Sequence, residues 1–227
     1  MTILEECVSV LIPARNESAT IGAVVGAVLQ NLPQAEVLVV DDGSHDGTGE
    51  TARAAGARVI RHSLPRGKGA ALRTGFKAAQ SQLVVTIDGD GQDDAADLPA
   101  LVEAARGGAD LTIGSRFLGR FEPGSISLPN YLATRAFNLL IYLRNGTQVS
   151  DSQAGVRCYR RSALEALDWN ASEFEVETEL LLRFLQAGCS IREVPVRRLP
   201  RRGGQTSFQR IRLGVRILQT IIRGRAP

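Results

Sequence analysis

The sequence predicts an α/β fold with a mostly parallel central sheet and helices on both faces. Three observations carry this expectation. The first hundred residues alternate short apolar runs with helix-period segments, as repeated strand–helix units with right-handed crossovers do. The apolar runs end in glycines and acids, and one of them, Val84-Val85-Thr86-Ile87, leads straight into Asp88-Gly89-Asp90-Gly91-Gln92-Asp93-Asp94. The length of 227 residues suits one large domain, or one domain with a short appendage.

Residues 7–12 read as a buried first strand closed by Pro13. Residues 18–30 read as a helix with Ile21, Val24, Val25 and Val28 on one face. A second strand, 37–40, ends at Asp41-Asp42-Gly43-Ser44, and Asp46-Gly47 makes a turn. A short helix, 48–55, stops at Gly56, and 58–61 is a brief third strand. Residues 67–79 are helical, 83–87 form the fourth strand, 97–105 are helical and 109–113 form the fifth strand. After Gly114 the pattern changes. Residues 128–143 make a long apolar helix, 154–160 a strand, 162–167 a short helix and 176–187 another helix. Residues 190–198 alternate apolar and charged side chains like an edge strand, and Pro195 suits an edge. Ser207 is placed to cap a final helix to Arg223. Phe208, Ile211, Val215, Leu218 and Ile222 form one stripe of it, and Arg212, Arg216 and Arg223 another. Residues 1–204 thus form the domain, and 205–227 a basic amphipathic C-terminal helix.

The hydrophobic share of 44% against 22% charged residues describes a globular chain with a sizeable core. No apolar run approaches the roughly 18–20 residues that cross a bilayer. The acidic start, Glu5 and Glu6, does not resemble a signal peptide. Cys7, Cys158 and Cys189 are scattered singly and match no metal site; Cys7 and Cys189 read as small core residues in a reducing compartment. The net charge of +3 hides an asymmetry: residues 192–227 hold ten arginines and one acid, +9, which leaves −6 for residues 1–191. A basic tail on an acidic body points to an anionic partner for the tail, a membrane surface, a phosphate or nucleic acid; the alternative is an arginine-rich end that is merely soluble. The acidic body argues against nucleic acid.

Alternate residues on extended backbone point the same way, so Asp88, Asp90 and Gln92 are placed to converge. Such oxygens suit a hard divalent cation that keeps waters or borrows phosphate oxygens. The plainer reading is a polar loop with Asp93 or Asp94 as a helix cap. In a parallel sheet, the ends of strands one, two and four share the edge where ligands bind. There Asp42 is an acceptor able to read a nucleobase N–H, while a metal at Asp88 and Asp90 holds a diphosphate. Gly67-Lys68-Gly69 lacks the spacing of a P-loop; it opens a helix, which offers a phosphate site, or it is a tight loop with a solvated Lys68. His45 and His62 read as surface residues and Trp169 as a packing anchor. Glu177, in an acidic run, reads as a solvated helix start, with entry into the site as the alternative.

The motifs Ile12-Pro13…Asn16-Glu17, Val39-Val40-Asp41-Asp42-Gly43-Ser44…Asp46-Gly47-Thr48, Gly67-Lys68-Gly69-Ala70-Ala71, Asp88-Gly89-Asp90-Gly91-Gln92, Gly114-Ser115-Arg116 and Asp151-Ser152-Gln153-Ala154-Gly155-Val156-Arg157 follow one another as in family 2 glycosyltransferases. The chain most resembles the dolichol-phosphate mannose synthase branch and its prokaryotic polyprenyl-phosphate relatives, over roughly residues 8–207. The resemblance implies a GT-A type fold. It implies nucleotide contacts at Pro13, Arg15, Glu17, Val40 and Asp42. Metal and diphosphate contacts fall at Asp88, Asp90 and Gln92, with the Gly89 backbone beside the sugar. Arg116 and Arg201 match positions near the donor or acceptor phosphates. Arg15 stands where relatives often carry an aromatic, and Ser207 where they often carry lysine.

The activity so implied is inverting transfer of a sugar from a nucleotide-diphosphate sugar to a polyprenyl phosphate, with Mg²⁺ or Mn²⁺. Asp90, Arg116 and Asp151 are the expected catalytic residues. A phosphate monoester is already ionised near neutral pH, its second pKa being about 6. A sugar-hydroxyl acceptor, the alternative, needs a general base, for which Asp151 is the first candidate and Glu177 the second. A nucleotide-binding regulator without turnover is a third reading. The basic helix fits peripheral attachment to an anionic membrane surface, on its cytoplasmic face.

Overall fold

The structure, a computed structural model, describes residues 7–200 and 210–223. Seven strands form one sheet: β1 (Val8–Ala14), β2 (Glu36–Asp41), β3 (Arg58–Arg61), β4 (Leu83–Thr86), β5 (Leu111–Phe121), β6 (Arg157–Arg160) and β7 (Ile191–Arg198). Their order is β3-β2-β1-β4-β6-β5-β7. All neighbours are parallel except β6, which runs antiparallel to both β4 and β5. Among the described residues eight α-helices accompany them: α1 (Ile21–Asn31), α2 (Thr48–Ala54), α3 (Lys68–Ala78), α4 (Leu98–Arg106), α5 (Leu128–Asn145), α6 (Arg161–Glu165), α7 (Val176–Gln186) and α8 (Arg210–Arg223).

Helices cover both faces, as the alternation predicts. Val10 and Ile12 of β1, Val37 and Val39 of β2 and Val85 of β4 pack toward α1, α2 and α4. Their neighbours Leu11, Leu38, Val40 and Val84 pack the other way, with α3, α7 and α8. The period of two in the strands builds both cores at once. The expected face of α1, Ile21, Val24, Val25 and Val28, is the buried one.

The strand expected from 154 begins at Arg157, and two other strand ends differ for tertiary reasons. β1 continues through Pro13, because its pairing with β4 stops at Leu11; beyond that point β1 is bonded on one side only, where a missing N–H is tolerated. β5 runs on to Phe121, because β7 pairs with it as far as Arg198, across a bulge between Ser115 and Arg120. Gly119 permits this: a Cβ there would lie 2.0 Å from the Val196 carbonyl oxygen. β7 is the sheet edge that Pro195 suggested.

The final helix packs through a stripe other than the one the sequence singles out. Ile217 and Ile221 are buried, with Leu213 against them, whereas Val215, Leu218 and Ile222 face outward. Arg144 donates to the carbonyls of Ile221 and Ile222, a cation on the helix's carboxyl end. Ser207 and the other residues of 201–209 lie outside the described residues. Cys158 is fully buried, and burial pushes its thiol up to about 12. Cys189 is half-buried and packs against the core as expected, while Cys7 is half-buried. None of the described helices is long and apolar enough to cross a membrane.

Candidate functional site

The carboxyl ends of β1, β2 and β4 meet at one edge and line a cavity of about 220 Å³. Pro13, Arg15 and Glu17 enter it after β1, Asp42 after β2, and Asp88, Gly89 and Asp90 after β4. The loops are tied to one another. Asn16, with φ +55°, donates its N–H to Ser44 Oγ at 3.0 Å and accepts the His45 N–H at 3.1 Å. The Glu17 N–H donates to Thr48 Oγ1 at 2.9 Å. Thr20 Oγ1 donates to the Gly89 carbonyl at 2.7 Å, which fixes the β4 loop to the start of α1.

Asp42 is buried and already engaged. Its Oδ1 lies 2.7 Å from His62 Nδ1 and accepts the Arg66 N–H at 2.9 Å; its Oδ2 accepts the Gly67 N–H at 2.8 Å. One acceptor position on Oδ2 is left for a ligand. His62 is therefore not a surface residue: it is buried, with Nε2 2.9 Å from Thr74 Oγ1. His45 is exposed, as expected.

Lys68 corrects a second expectation. It is not solvated: Nζ lies 2.6 Å from Asp88 Oδ1 and 2.6 Å from Glu177 Oε1. Burial alone would push its ammonium down, but the two carboxylates outweigh that and raise it. Glu177 likewise leaves the solvent and enters the site. The opening of α3 offers no phosphate cradle, since the N–H groups of Gly69 and Ala70 both point at the Ser172 carbonyl, at 2.8 and 3.3 Å.

Burial would raise Asp88, yet Lys68, with Arg198 and Arg116 behind it, holds it below the ordinary carboxylate range. Asp90 is raised, first by burial and then by the charge of Asp88. Its Oδ1 accepts the Gln92 N–H at 3.0 Å. Two crowded, partly buried carboxylates with hard oxygen donors fit a divalent cation, which would relieve their repulsion. Gly155 makes room for this pair, because a Cβ there would lie 2.9 Å from Asp88 Oδ2.

Gln92 is turned elsewhere. Its Oε1 accepts from Arg198 at 2.9 Å and its Nε2 donates to the Leu199 carbonyl at 3.3 Å, so it fastens β7 instead of completing a ligand set. Among the described residues there is no group of three or more His, Cys, Asp or Glu suited to a metal. For a divalent cation held here, the described residues would supply two carboxylates, with phosphate oxygens and water as the remaining ligands. Asp94 does cap a turn, accepting the Ala96 N–H at 3.0 Å, so the plainer reading of this loop holds for that one residue.

Arg116 grips Asp151 bidentately, Nε to Oδ2 and Nη2 to Oδ1, each at 2.7 Å. Asp151 is fully buried, and its Oδ2 also accepts the Arg116 N–H at 3.0 Å. That placement corrects Asp151 as a base: both oxygens are committed and no face reaches the cavity. Val40 is buried within β2, and Arg201 lies outside the described residues.

Sequence reasoning missed Lys68 and His62 as site residues, along with Arg198 and the cavity-lining Phe174, and offered Glu177 only as an alternative. Only Lys68 carried a local signal, the flanking glycines. A larger cleft of about 470 Å³ lies between α7 and α8 and shares no lining residue with the cavity.

Residues 9–168 match the model of the family described as glycosyl transferase family 2. A polyprenol monophosphomannose synthase of Mycolicibacterium smegmatis is 34% identical over 82% of this chain and 75% of its own length. A dolichyl-phosphate hexose transferase of Haloferax volcanii is 31% identical over 95% and 92%. Among solved structures, glucosyl-3-phosphoglycerate synthase from Mycobacterium tuberculosis, in complex with Mn²⁺, UDP and glucosyl-3-phosphoglycerate, superposes with a TM-score of 0.78 at 26% identity, covering 96% of this chain and 79% of that one. The sheet is thus the GT-A type that the resemblance implied, and the chain belongs to glycosyl transferase family 2.

Proposed function

We propose that this chain transfers a sugar, with inversion, from a nucleotide-diphosphate sugar to a polyprenyl phosphate. The observation that carries the reading is that one edge cavity is lined by both Asp42 and the Asp88–Asp90 pair. Asp42 Oδ2 takes an N–H of the nucleobase. Asp88 and Asp90 hold Mg²⁺ or Mn²⁺, which when bound neutralises the charge that builds on the leaving diphosphate. Lys68 sits within reach of the same oxygens. An acceptor phosphate oxygen attacks the anomeric carbon, the bond from that carbon to the donor phosphate breaks, and the nucleoside diphosphate leaves with the electron pair. Arg201 serves a phosphate.

Two observations support an acceptor that arrives ionised. The two carboxylates that the sequence offers as bases for a hydroxyl, Asp151 and Glu177, are held by Arg116 and Lys68. The named relatives act on polyprenol or dolichyl phosphate. The chain works peripherally, at the cytoplasmic face of a membrane. A thermal-shift panel of UDP-, GDP- and dTDP-sugars with Mn²⁺ identifies the donor, since a ligand that binds only the native state raises its melting temperature. Transfer from that donor to a short-chain polyprenyl phosphate is the expected result; product only with sugar-hydroxyl acceptors would overturn the reading.

A further inference from the structure

Helix α5 is apolar on its outer side as well as its inner one. Its protein-facing side carries Thr134, Phe137, Asn138 and Ile141, while Leu128, Leu132, Leu139 and Leu143 lie on the opposite side, 69, 56, 56 and 69% exposed. The polar residues of the inner side have partners. Asn138 donates to the Ser150 carbonyl at 2.5 Å and accepts the Ser152 N–H at 3.0 Å; Thr134 donates to Asn130 at 3.0 Å. A surface helix in water turns polar residues, not leucines, outward. An exposed row of four leucines marks an interaction surface.

The row does not stand alone. On α8, which packs beside α5, Val215, Leu218 and Ile222 also face outward. The two helices together hold six arginines and no acid; of these, Arg144 is taken up by the α8 carbonyls and Arg216 lies 3.9 Å from Glu175. Their position follows from topology. β4 and β5 run the same way, since both are antiparallel to β6. The chain therefore leaves β5 for α5, and returns from α5 to β6, at the edge where Asp88 and Asp90 stand.

We propose that the outer face of α5, continued by Val215, Leu218 and Ile222 of α8, docks on an anionic lipid bilayer. Leucines that enter the interface, flanked by arginines that meet lipid phosphates, are the chemistry of a helix lying in the membrane plane. Charge complementarity selects this occupant: a second copy would bring arginines against arginines. The proposal rests on the lipid-acceptor reading and deepens it, because α5 holds the catalytic edge against the surface that presents the acceptor phosphate. It also moves the main contact from the C-terminal helix, which spends one of its two apolar stripes on the protein core, to α5.

The test is co-sedimentation of the full chain with vesicles of equimolar phosphatidylglycerol and phosphatidylcholine. The variant is Leu139→Gln with Leu143→Gln, and the control is Leu64→Gln, an exposed leucine of the β3–α3 loop. The double variant should bind vesicles about tenfold more weakly or worse, with an unchanged melting temperature, while the control binds as wild type. Binding by wild type should fall as salt rises. Equal vesicle binding by wild type and the folded double variant overturns the proposal. So does a wild-type dimer that the double variant dissolves without any loss of vesicle binding, since the face then joins two copies. The two readings fail separately. Loss of vesicle binding in a chain that glycosylates no polyprenyl phosphate sinks the acceptor and spares the docking face. Transfer to a water-soluble short-chain acceptor, with vesicle binding indifferent to α5, does the reverse.

Discussion

Replacing Lys68 with methionine tests the centre of the site most directly. The side chain is nearly enclosed, and its ammonium is the only cation within 4 Å of Asp88 and Glu177 among the described residues. Removing one member of a buried ion pair costs about 3–5 kcal/mol, because the charge left behind has no partner. Asp88 keeps a side-chain exposure of 26%, so the lower end, about 3 kcal/mol, applies. For a chain of this size that lowers the melting temperature by about 6–12 °C. The pH dependence has a definite sign. Lys68 is raised above its free value near 10.4, so its contribution is complete below about pH 10 and is lost as pH climbs through the raised value. Asp88 is lowered, so its contribution is present above about pH 4 and is lost as pH falls through the lowered value. In Lys68→Met the two carboxylates face a dry site without a counter-ion and take up protons more readily. The deficit against wild type is therefore largest at pH 7–9 and shrinks toward pH 5. Scanning calorimetry in chelator across this range measures it, and Mn²⁺ should restore more of the melting temperature to the variant than it adds to wild type. A variant within about 2 °C of wild type at pH 8, or a deficit that grows on acidification, would refute the assignment of Lys68 as the counter-ion of this pair.

Asp90→Asn should raise the melting temperature in chelator, since Asp90 is a carboxylate that burial and Asp88 both push up; it should also abolish the Mn²⁺-induced shift and most transfer activity. A Mn²⁺ shift that survives the substitution counts against the metal assignment. Arg116→Lys loses the fork on fully buried Asp151 and should cost about 1–3 kcal/mol, read as a lower urea midpoint at unchanged slope. His62→Ala should weaken nucleotide binding by calorimetric titration more than it lowers turnover at saturating donor, because His62 orients Asp42 and touches no reacting atom. Equal affinity in His62→Ala and wild type would disprove that role.

The strands and helices were legible wherever one short segment carried its own period, as in α1 and β3. The misread boundaries have tertiary causes. β5 outlasts Gly114 only because β7, far along the chain, pairs with it, and Pro13 remains in β1 only because β4 ends early. The site divides in the same way. Asp88, Asp90 and Asp42 stand at strand ends, so a parallel sheet brings them together whatever surrounds them. Gln92 pointed at the metal by spacing alone, and Arg198, which redirects it, lies 106 positions away. Lys68 and Glu177 are ordinary charged residues in ordinary helix starts until the fold apposes them.

Helix α5 shows where periodicity itself misleads. A run of leucines reads as a buried face, and in a water-soluble α/β domain the inward side is the natural choice. Here the inward side must satisfy the Ser150 carbonyl and the Ser152 N–H on the loop that carries Asp151, and only a polar residue such as Asn138 does that. The leucines are left outside by the same hydrogen bonds that fix Asp151, and Asp151 in turn fixes Arg116 beside the acids. One loop therefore couples the order of the catalytic edge to the face that α5 presents. Asn138→Leu should test that coupling. It offers the helix a conventional amphipathic choice, but it leaves the Ser150 carbonyl and the Ser152 N–H unpaired in a buried place, at about 1–3 kcal/mol for each group. If the loop dictates the face, Asn138→Leu loses stability and donor turnover together. If apolar burial dictates it, the substitution is neutral or stabilising in a urea melt, and Asp151 and Arg116 owe their placement to something other than this helix.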